Sequence, residues 1–232
     1  MSSSTRTIVI FGAGPGIGNH VASEFASNSF NHVILLARNE SRLREDKAAI
    51  ANASSNVKVD ALRLDLSDIA SIPAVLKKID ELAPELDVVF FNAARIKASG
   101  VLEVSVEEID EDFKTTNLAL YVISQWAIPR LQARAKSSSS PKSAKPALLV
   151  TNSHLPWDPV PQLLSLSLVK ASQANMVQSF SRAFSDSGIH IGLIHVEGVV
   201  APENKNRNPK NIARKIREFY ESGEGLTVHI KE

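Results

Sequence analysis

The sequence predicts one α/β domain over residues 1–232, a doubly wound, seven-stranded, mostly parallel sheet with helices on both faces. Three observations carry this. Short apolar runs alternate with longer segments of helical period along the chain, the pattern of successive strand–helix–strand units joined by right-handed crossovers. The short runs are largely apolar at consecutive positions, as strands covered on both sheet faces must be. The first run leads straight into a glycine cluster that opens a helix, Gly12-Ala-Gly-Pro-Gly16-Ile-Gly18.

The strands are expected at 6–11, 32–37, 57–64, 86–92, 146–152, 189–196 and 226–230. Helices are expected between them, at 16–29, 40–53, 68–82, 105–135, 161–187 and 209–222, the last opened by Pro209. No internal repeat interrupts the alternation. The stretch Lys136-Ser-Ser-Ser-Ser-Pro-Lys-Ser-Ala-Lys145 cannot pack a core and reads as a mobile surface loop at the sheet end opposite the ligand crevice.

Composition narrows the function. A formal net charge of +1 gives no electrostatic case for a nucleic acid or an anionic membrane. The absence of cysteine removes disulfides, thiolate metal sites and cysteine nucleophiles, and no metal centre is expected. No apolar run approaches the ~20 residues that cross a bilayer. The N-terminus lacks the pattern of a signal peptide, and a cytoplasmic location is expected.

The glycine cluster has a specific use. Glycines let the backbone turn tightly and approach a pyrophosphate, while the helix behind supplies oriented N–H groups and a positive dipole end. Gly12, Gly14, Gly16, Ile17 and Gly18 are the candidates for this contact. The second strand ends in Leu36-Ala37-Arg38-Asn39. An arginine after a small residue suits a 2′-phosphate, where an acidic residue would suit a free ribose hydroxyl. NADP is therefore the expected cofactor. Asp65-Leu66 closes the third strand. The aspartate can accept from an adenine amino group, or it can cap the helix at 68. Ser67 and Asp68 are alternative caps, which would leave Asp65 free for the cofactor.

Joined to Asn92-Ala93-Ala94 after the fourth strand, these residues make the chain resemble the short-chain dehydrogenase/reductase family over essentially its whole length. The resemblance implies a Rossmann fold. The family's Thr-Gly-x-x-x-Gly-x-Gly is matched by Gly12, Gly16 and Gly18, with Phe11 at the threonine. Its Asn-Asn-Ala-Gly appears as Phe91-Asn92-Ala93-Ala94. Asn117, Ser153 and Lys170 fall at the family's catalytic asparagine, serine and lysine, and the resemblance also places Lys170 on the nicotinamide ribose. Glu197-Gly198, with Val199 following, stands where relatives carry a Pro-Gly pair against the nicotinamide. Residues 199–208 then form a short substrate lid. Many NADP-preferring relatives have a second basic residue where this chain has Pro15. In the family the long helices that correspond to 105–135 and 161–187 pair between subunits, which implies a homodimer or homotetramer. Ala119, Tyr121, Val122 and Trp126 on one helix and Val169, Met176 and Phe180 on the other offer apolar material for it.

The family's tyrosine acid should stand four residues before Lys170, and there the chain has Leu166. The only tyrosines are Tyr121 and Tyr220. Leucine neither transfers a proton nor donates a hydrogen bond, and positioned proton transfer contributes about 10²–10⁴-fold. Three expectations follow. His154, Asp158 or Glu197 supplies the proton instead. Or the substrate is an iminium or activated alkene that needs no strong acid. Or the fold keeps NADP while running an isomerisation, cyclisation or dehydration, or sensing the cofactor. The resemblance places a reductase of a small organic molecule first. Trp157, near Ser153, either stacks on an aromatic or cationic substrate or anchors its loop.

Overall fold

The computed structural model describes residues 5–54, 56–137 and 145–232. Most of the Ser/Lys-rich stretch, 138–144, therefore lies outside the described residues.

Seven strands form one sheet: β1 (Thr7–Phe11), β2 (His32–Ala37), β3 (Lys58–Arg63), β4 (Val88–Phe91), β5 (Ala147–Asn152), β6 (His190–Val196) and β7 (Thr227–Ile230). Their order is β3-β2-β1-β4-β5-β6-β7. All six pairings are parallel, so the expectation of a mostly parallel sheet is sharpened to a wholly parallel one. The register pairs Phe11 with both Leu36 and Phe91. The carboxyl ends of β1, β2 and β4 thus finish level, and the strand order reverses between β1 and β4. A crevice opens at such a reversal because the flanking loops diverge to opposite faces.

The helices are α1 (Ile17–Ala26), α2 (Glu40–Ala53), α3 (Ile72–Leu82), α4 (Val106–Phe113), α5 (Ala119–Lys136), α6 (Leu164–Ala183) and α7 (Pro209–Ser222). One core layer joins Val9, Phe11, Leu148 and Val150 of the sheet to Leu76 of α3, Ile123 of α5 and Val177 of α6. The other joins Ile8, Ile10 and Leu149 to Val21 of α1, Leu43 of α2 and Ile216 of α7. Adjacent strand residues supply opposite layers, which is why the strands read as continuously apolar. Side chains stop and start the helices. Asn39 caps α2 by accepting from the Arg42 N–H (3.0 Å), and Asn208 caps α7 by accepting from the Asn211 N–H (2.8 Å). No helix among the described residues is long and apolar enough to cross a membrane.

Two elements depart from expectation. The segment anticipated as one helix at 105–135 is α4 and α5 joined through a π turn at Lys114–Leu118. A π turn carries an extra residue per turn, and this one buries Thr115, Thr116 and Asn117. Helical periodicity in sequence does not reveal such an insertion, because the flanking pattern resumes after it. The segment anticipated at 68–82 begins as a short 3₁₀ turn, Ile69–Ser71, before α3. Asp68 makes no side-chain cap there. Asp65 does not cap it either; its Oδ1 accepts from the Ser67 N–H (3.0 Å) and Oγ–H (2.8 Å), ahead of the 3₁₀ turn. Asp65 is therefore not left wholly to the cofactor, since one carboxylate oxygen closes its own turn.

Gly12 should be the least tolerant glycine of the crevice. Its φ is +92°, and a Cβ there would lie 2.7 Å from the Ala93 nitrogen. Gly12→Ala should lower stability by about 1–3 kcal/mol, read as a shifted urea midpoint. A midpoint equal to wild type would show that the two turns do not depend on this contact.

Candidate active site

The crevice at the strand-order reversal has a volume of about 430 Å³. Gly12 and Gly16 line it from the first turn, Arg38 from the end of β2, Leu66 from beyond β3, and Asn92, Ala93 and Ala94 from beyond β4. A Cβ at Gly14 or Gly16 would meet nothing within 4 Å, so open space lies over the α1 N-terminus, where a diphosphate needs it. No side chain caps α1, which leaves its first N–H groups available to an anion. Gly18 has a supporting role: a Cβ there would strike the Gly12 carbonyl oxygen at 2.6 Å. Ile17 packs partly into the α1–α7 core layer. Pro15, Arg95, Ile96 and Thr115 also line the crevice. Lys170, Gly198 and Val199 lie outside this lining.

Asp65 sits behind the crevice. Burial works against its ionisation, but the two Ser67 hydrogen bonds and the positive Arg38 and Arg63 outweigh that and hold its carboxyl below the usual range. Arg38 is exposed and makes no ion pair within 4 Å among the described residues.

The catalytic candidates gather where β5 ends against α6. Lys170 is buried, and its Nζ donates to the Thr151 carbonyl (2.8 Å) and to Gln173 Oε1 (2.9 Å). Asn152 Nδ2 donates to the Lys170 carbonyl (3.0 Å) and to the same Gln173 oxygen (3.2 Å). Gln173 Nε2 reaches the Thr116 carbonyl (3.4 Å) in the π turn. Gln173 thus links the lysine, the end of β5 and the turn that carries Asn117. Sequence reasoning missed both Gln173 and Asn152. A polar residue one helical turn after Lys170 was the available signal, but burial alone makes it meaningful. No carboxylate pairs with Lys170 among the described residues, and burial pushes its amine down to about 7. One ammonium hydrogen remains without a protein acceptor.

Asn117 is fully buried, and neither its amide nitrogen nor its oxygen finds a partner among the described residues. An unsatisfied buried amide costs about 1–3 kcal/mol, which makes Asn117 a candidate for contact with a ligand. Ser153 is half-buried. Its Oγ accepts from the Leu155 N–H (3.2 Å), and its own hydroxyl hydrogen is free to donate.

The expected substitute acids are not brought together. Glu197 turns to β7, its carboxylate meeting His229 Nδ1 (2.6 Å) and Lys231 Nζ (3.2 Å). Burial would raise its carboxyl, but His229 and Lys231 prevail and hold it low. Asp158 is exposed at the tip of a turn in which the His154 carbonyl accepts from the Trp157 and Asp158 N–H groups (3.1 and 3.0 Å). His154 is half-buried, with Nδ1 sequestered and unpartnered. Trp157 packs edge-on against His195 (4.9 Å) and leans on His229 (5.6 Å), so it anchors its loop while 51% of its surface stays exposed. His195 Nδ1 donates to the Ser153 carbonyl (2.8 Å), and burial pushes its imidazole down, toward neutrality.

Leu166 lies one helical turn before Lys170 on α6 and clusters with Leu155 and Val169, against Ala94, Val160 and Leu163. Neither tyrosine approaches this cluster. Tyr220 is buried in the opposite core layer, accepts from Arg6 Nη2 (2.8 Å), and is pushed up to about 12 by burial. Tyr121 lies in an outer groove between α5 and α6 with Phe180. Over 199–208, the Glu232 carboxylate accepts from the backbone N–H groups of Lys205, Asn206 and Arg207. Arg207 Nη1 donates to the Glu197 carbonyl (3.1 Å) and covers Gly198, whose φ of +124° and lack of Cβ make room for it.

The sequence profile of the short chain dehydrogenase family matches residues 6–212. An NADP-dependent 3-hydroxy acid dehydrogenase of Schizosaccharomyces pombe is 29% identical over 132 residues, 56% of this chain and 51% of that protein. A very-long-chain 3-oxoacyl-CoA reductase of Pyricularia oryzae is 25% identical over 221 residues, 94% of this chain and 63% of that protein. The chain thus spans about half to two thirds of the length of these relatives. Among solved structures, NADH-dependent reductase A1-R′ complexed with NAD superposes with a TM-score of 0.85 at 18% identity, covering 99% of this chain and 96% of that one.

Lys170 should leave a pH signature on stability. Its amine titrates near 7 when folded against 10.5 when exposed. Between those values the unfolded chain binds the extra proton, so stability rises with pH. The penalty is full below about pH 7 and fades by about pH 10.5, a span on the order of 5 kcal/mol. In urea unfolding from pH 6.5 to 10, wild type should gain stability over Lys170→Met. Parallel profiles would mean that the amine stays charged in the fold.

Proposed function

Since the chain belongs to the short chain dehydrogenase family, we propose that it is a cytoplasmic, NADP(H)-dependent oxidoreductase with an atypical active site, acting on a small apolar carbonyl, imine, iminium or activated alkene. The observation that carries the reading is the open cradle over Gly14 and Gly16 at the α1 N-terminus, continuous with a crevice that ends at Arg38. The residues present fit the dinucleotide. Backbone N–H groups of α1 take the diphosphate. Arg38, without an ion pair among the described residues, suits a 2′-phosphate and repels nothing on it. When protonated, Lys170 has a third hydrogen for a ribose hydroxyl, and the amide of Asn117 can serve a bridging water. When bound, the nicotinamide supplies or accepts the hydride. The cysteine-free sequence suits a reducing compartment as well as any other.

The substrate class follows from what surrounds Ser153. Its hydroxyl can hold one heteroatom. Leu155, whose N–H donates to the Ser153 Oγ, belongs to the apolar cluster of Leu166 and Val169, which holds no phenol to protonate an alkoxide. Glu197 is committed to β7 and Asp158 is exposed, which leaves His154 as the side chain for any proton the reaction requires. Acceptors whose reduced product is weakly basic, an iminium or an activated alkene, therefore suit the site better than a simple ketone.

A non-redox or cofactor-sensing role draws on one specific observation: the Arg207 guanidinium covers Gly198 on the turn that meets the nicotinamide in relatives. A homodimer or homotetramer is also part of the proposal. Ala119, Trp126 and Val169 are consumed by the core, and Val122, Met176 and Phe180 pack against it. The exposed Phe113, Leu118, Tyr121 and Leu168 are what remains for a subunit contact. Light scattering at micromolar concentration should give twice or four times 25.2 kDa, and a monomer would remove this claim.

The chemistry is read by mass spectrometry. With 4-deuterated NADPH and a panel of ketones, cyclic imines and enones, deuterium should appear in the product of an imine or enone. NADPH binding with no label in any product would favour the non-redox role. Leu166→Tyr should still bind NADPH but lose native turnover through crowding while gaining slow ketone reduction. His154→Ala should cost on the order of 10²-fold in kcat if the imidazole is the acid. Retained activity would return the choice to a substrate that needs none.

A further inference from the structure

Arg38 has a second arginine beside it. Arg63 ends β3 in register with Ala37 of β2, and its Nε–H donates to the Arg38 carbonyl (3.2 Å). One strong donor of Arg63 is thereby spent on holding its guanidinium next to Arg38. Its two terminal nitrogens make no hydrogen bond or ion pair among the described residues, and neither does the Arg38 side chain. The nearby carboxylate, Asp65, feels both positive charges, but it lies within ion-pair distance of neither and has one oxygen occupied by Ser67. Arg44 and Arg42 on the neighbouring helix have their own carboxylates, Glu40 and Asp46. Two guanidiniums whose terminal nitrogens are unmatched among the described residues therefore stand on adjacent strand ends, Arg38 lining the crevice and both acting on the partly engaged carboxylate of Asp65.

Such an arrangement is electrostatically incomplete. Like charges side by side repel, and the full complement of two forks is a compact dianion with several acceptor oxygens. A phosphate monoester is that group, and a carboxylate or a ribose hydroxyl is not. Resting on the NADP reading above, we propose that Arg63 is a specificity-determining residue that clamps the 2′-phosphate of the adenosine ribose together with Arg38, the two guanidiniums approaching from adjacent strand ends. Pro15, which also lines the crevice, offers no charge, so the clamp is built from the strand-end arginines alone. Arg63 also steadies Arg38 through the carbonyl bond, which makes the two contributions cooperative.

The test uses two probes that differ only in the phosphate in question, adenosine 2′,5′-bisphosphate and 5′-AMP, titrated calorimetrically into the full chain. Wild type should bind the bisphosphate at least 10-fold more tightly. Arg63→Ala should weaken the bisphosphate about 10-fold and leave 5′-AMP unchanged, while Arg63→Lys recovers part of the loss. Arg38→Ala should behave alike, and the double variant should lose less than the product of the two single losses. Raising salt should erode the bisphosphate preference in wild type more than in Arg63→Ala. Arg63 is exposed, so the variants should melt like wild type. If Arg63→Ala binds the bisphosphate as wild type does while Arg38→Ala does not, the clamp is wrong and the NADP reading stands on Arg38 alone. If wild type binds both probes equally, the preference for NADP falls and the clamp with it. If it binds neither, the nucleotide reading itself is overturned.

Discussion

The crossing of two backbone turns at Gly12 governs the ligand end of this molecule. Its N–H and that of Ala13 both donate to the Leu36 carbonyl (2.9 Å each), and the Asn92 N–H donates to the Phe11 carbonyl (2.8 Å). Asn92 Nδ2 then donates to the Gly12 carbonyl (3.2 Å). The ends of β1, β2 and β4 thus converge on one residue without a side chain. Because that residue takes no room, the turn after β1 can fold flat against the turn after β4 and aim α1 into the crevice. The level strand ends, the free helix N-terminus and the position of Arg38 all follow from this contact.

At the other end, burial replaces charge pairing as the organising force. Lys170 is enclosed by amide and carbonyl oxygens without a counter-ion, and a solvated ammonium would not accept those terms. The surroundings instead favour an amine that can exist neutral near physiological pH. Gln173 makes the enclosure possible, since its oxygen accepts from both Lys170 and Asn152 while its nitrogen reaches the π turn. A single polar side chain therefore couples three elements that are remote in sequence. Leu166 belongs to the same logic, because an apolar cluster beside the lysine deepens its desolvation and removes the hydroxyl that would have shared its proton.

Elsewhere charge is paired, in the buried Arg134–Asp87 contact (2.9 Å) as well as nearer the surface. Glu197, His229 and Lys231 tie the turn after β6 to β7, and the stacked rings of His195 and His229 (4.8 Å) carry that tie to the turn holding Ser153. The arginines at the ends of β2 and β3 face the opposite side. The crevice thus carries Arg38 at one end, while Arg95, which also lines it, is neutralised by Glu111 and Asp112, so its unpaired positive charge is concentrated at the Arg38 end.

Much of this was legible in the sequence. The apolar runs, their alternation with helices and the glycine cluster determined the parallel sheet and where its crevice opens, because strand burial on both faces and the steric demand of a turn are local properties written in residue type. Asn117, Ser153 and Lys170 were picked out by the family resemblance, from their order and positions in the chain. Three features were decided only by the tertiary structure. The π turn that buries Asn117 leaves no periodic trace. Glu197 looked available until β7 brought His229 and Lys231 against it. Gln173 and Arg63 were unremarkable until folding placed one on a buried amine and the other beside Arg38. In each case the property that matters is what a side chain meets across the fold, and a desolvation penalty or an ion pair exists only once distant segments are packed together.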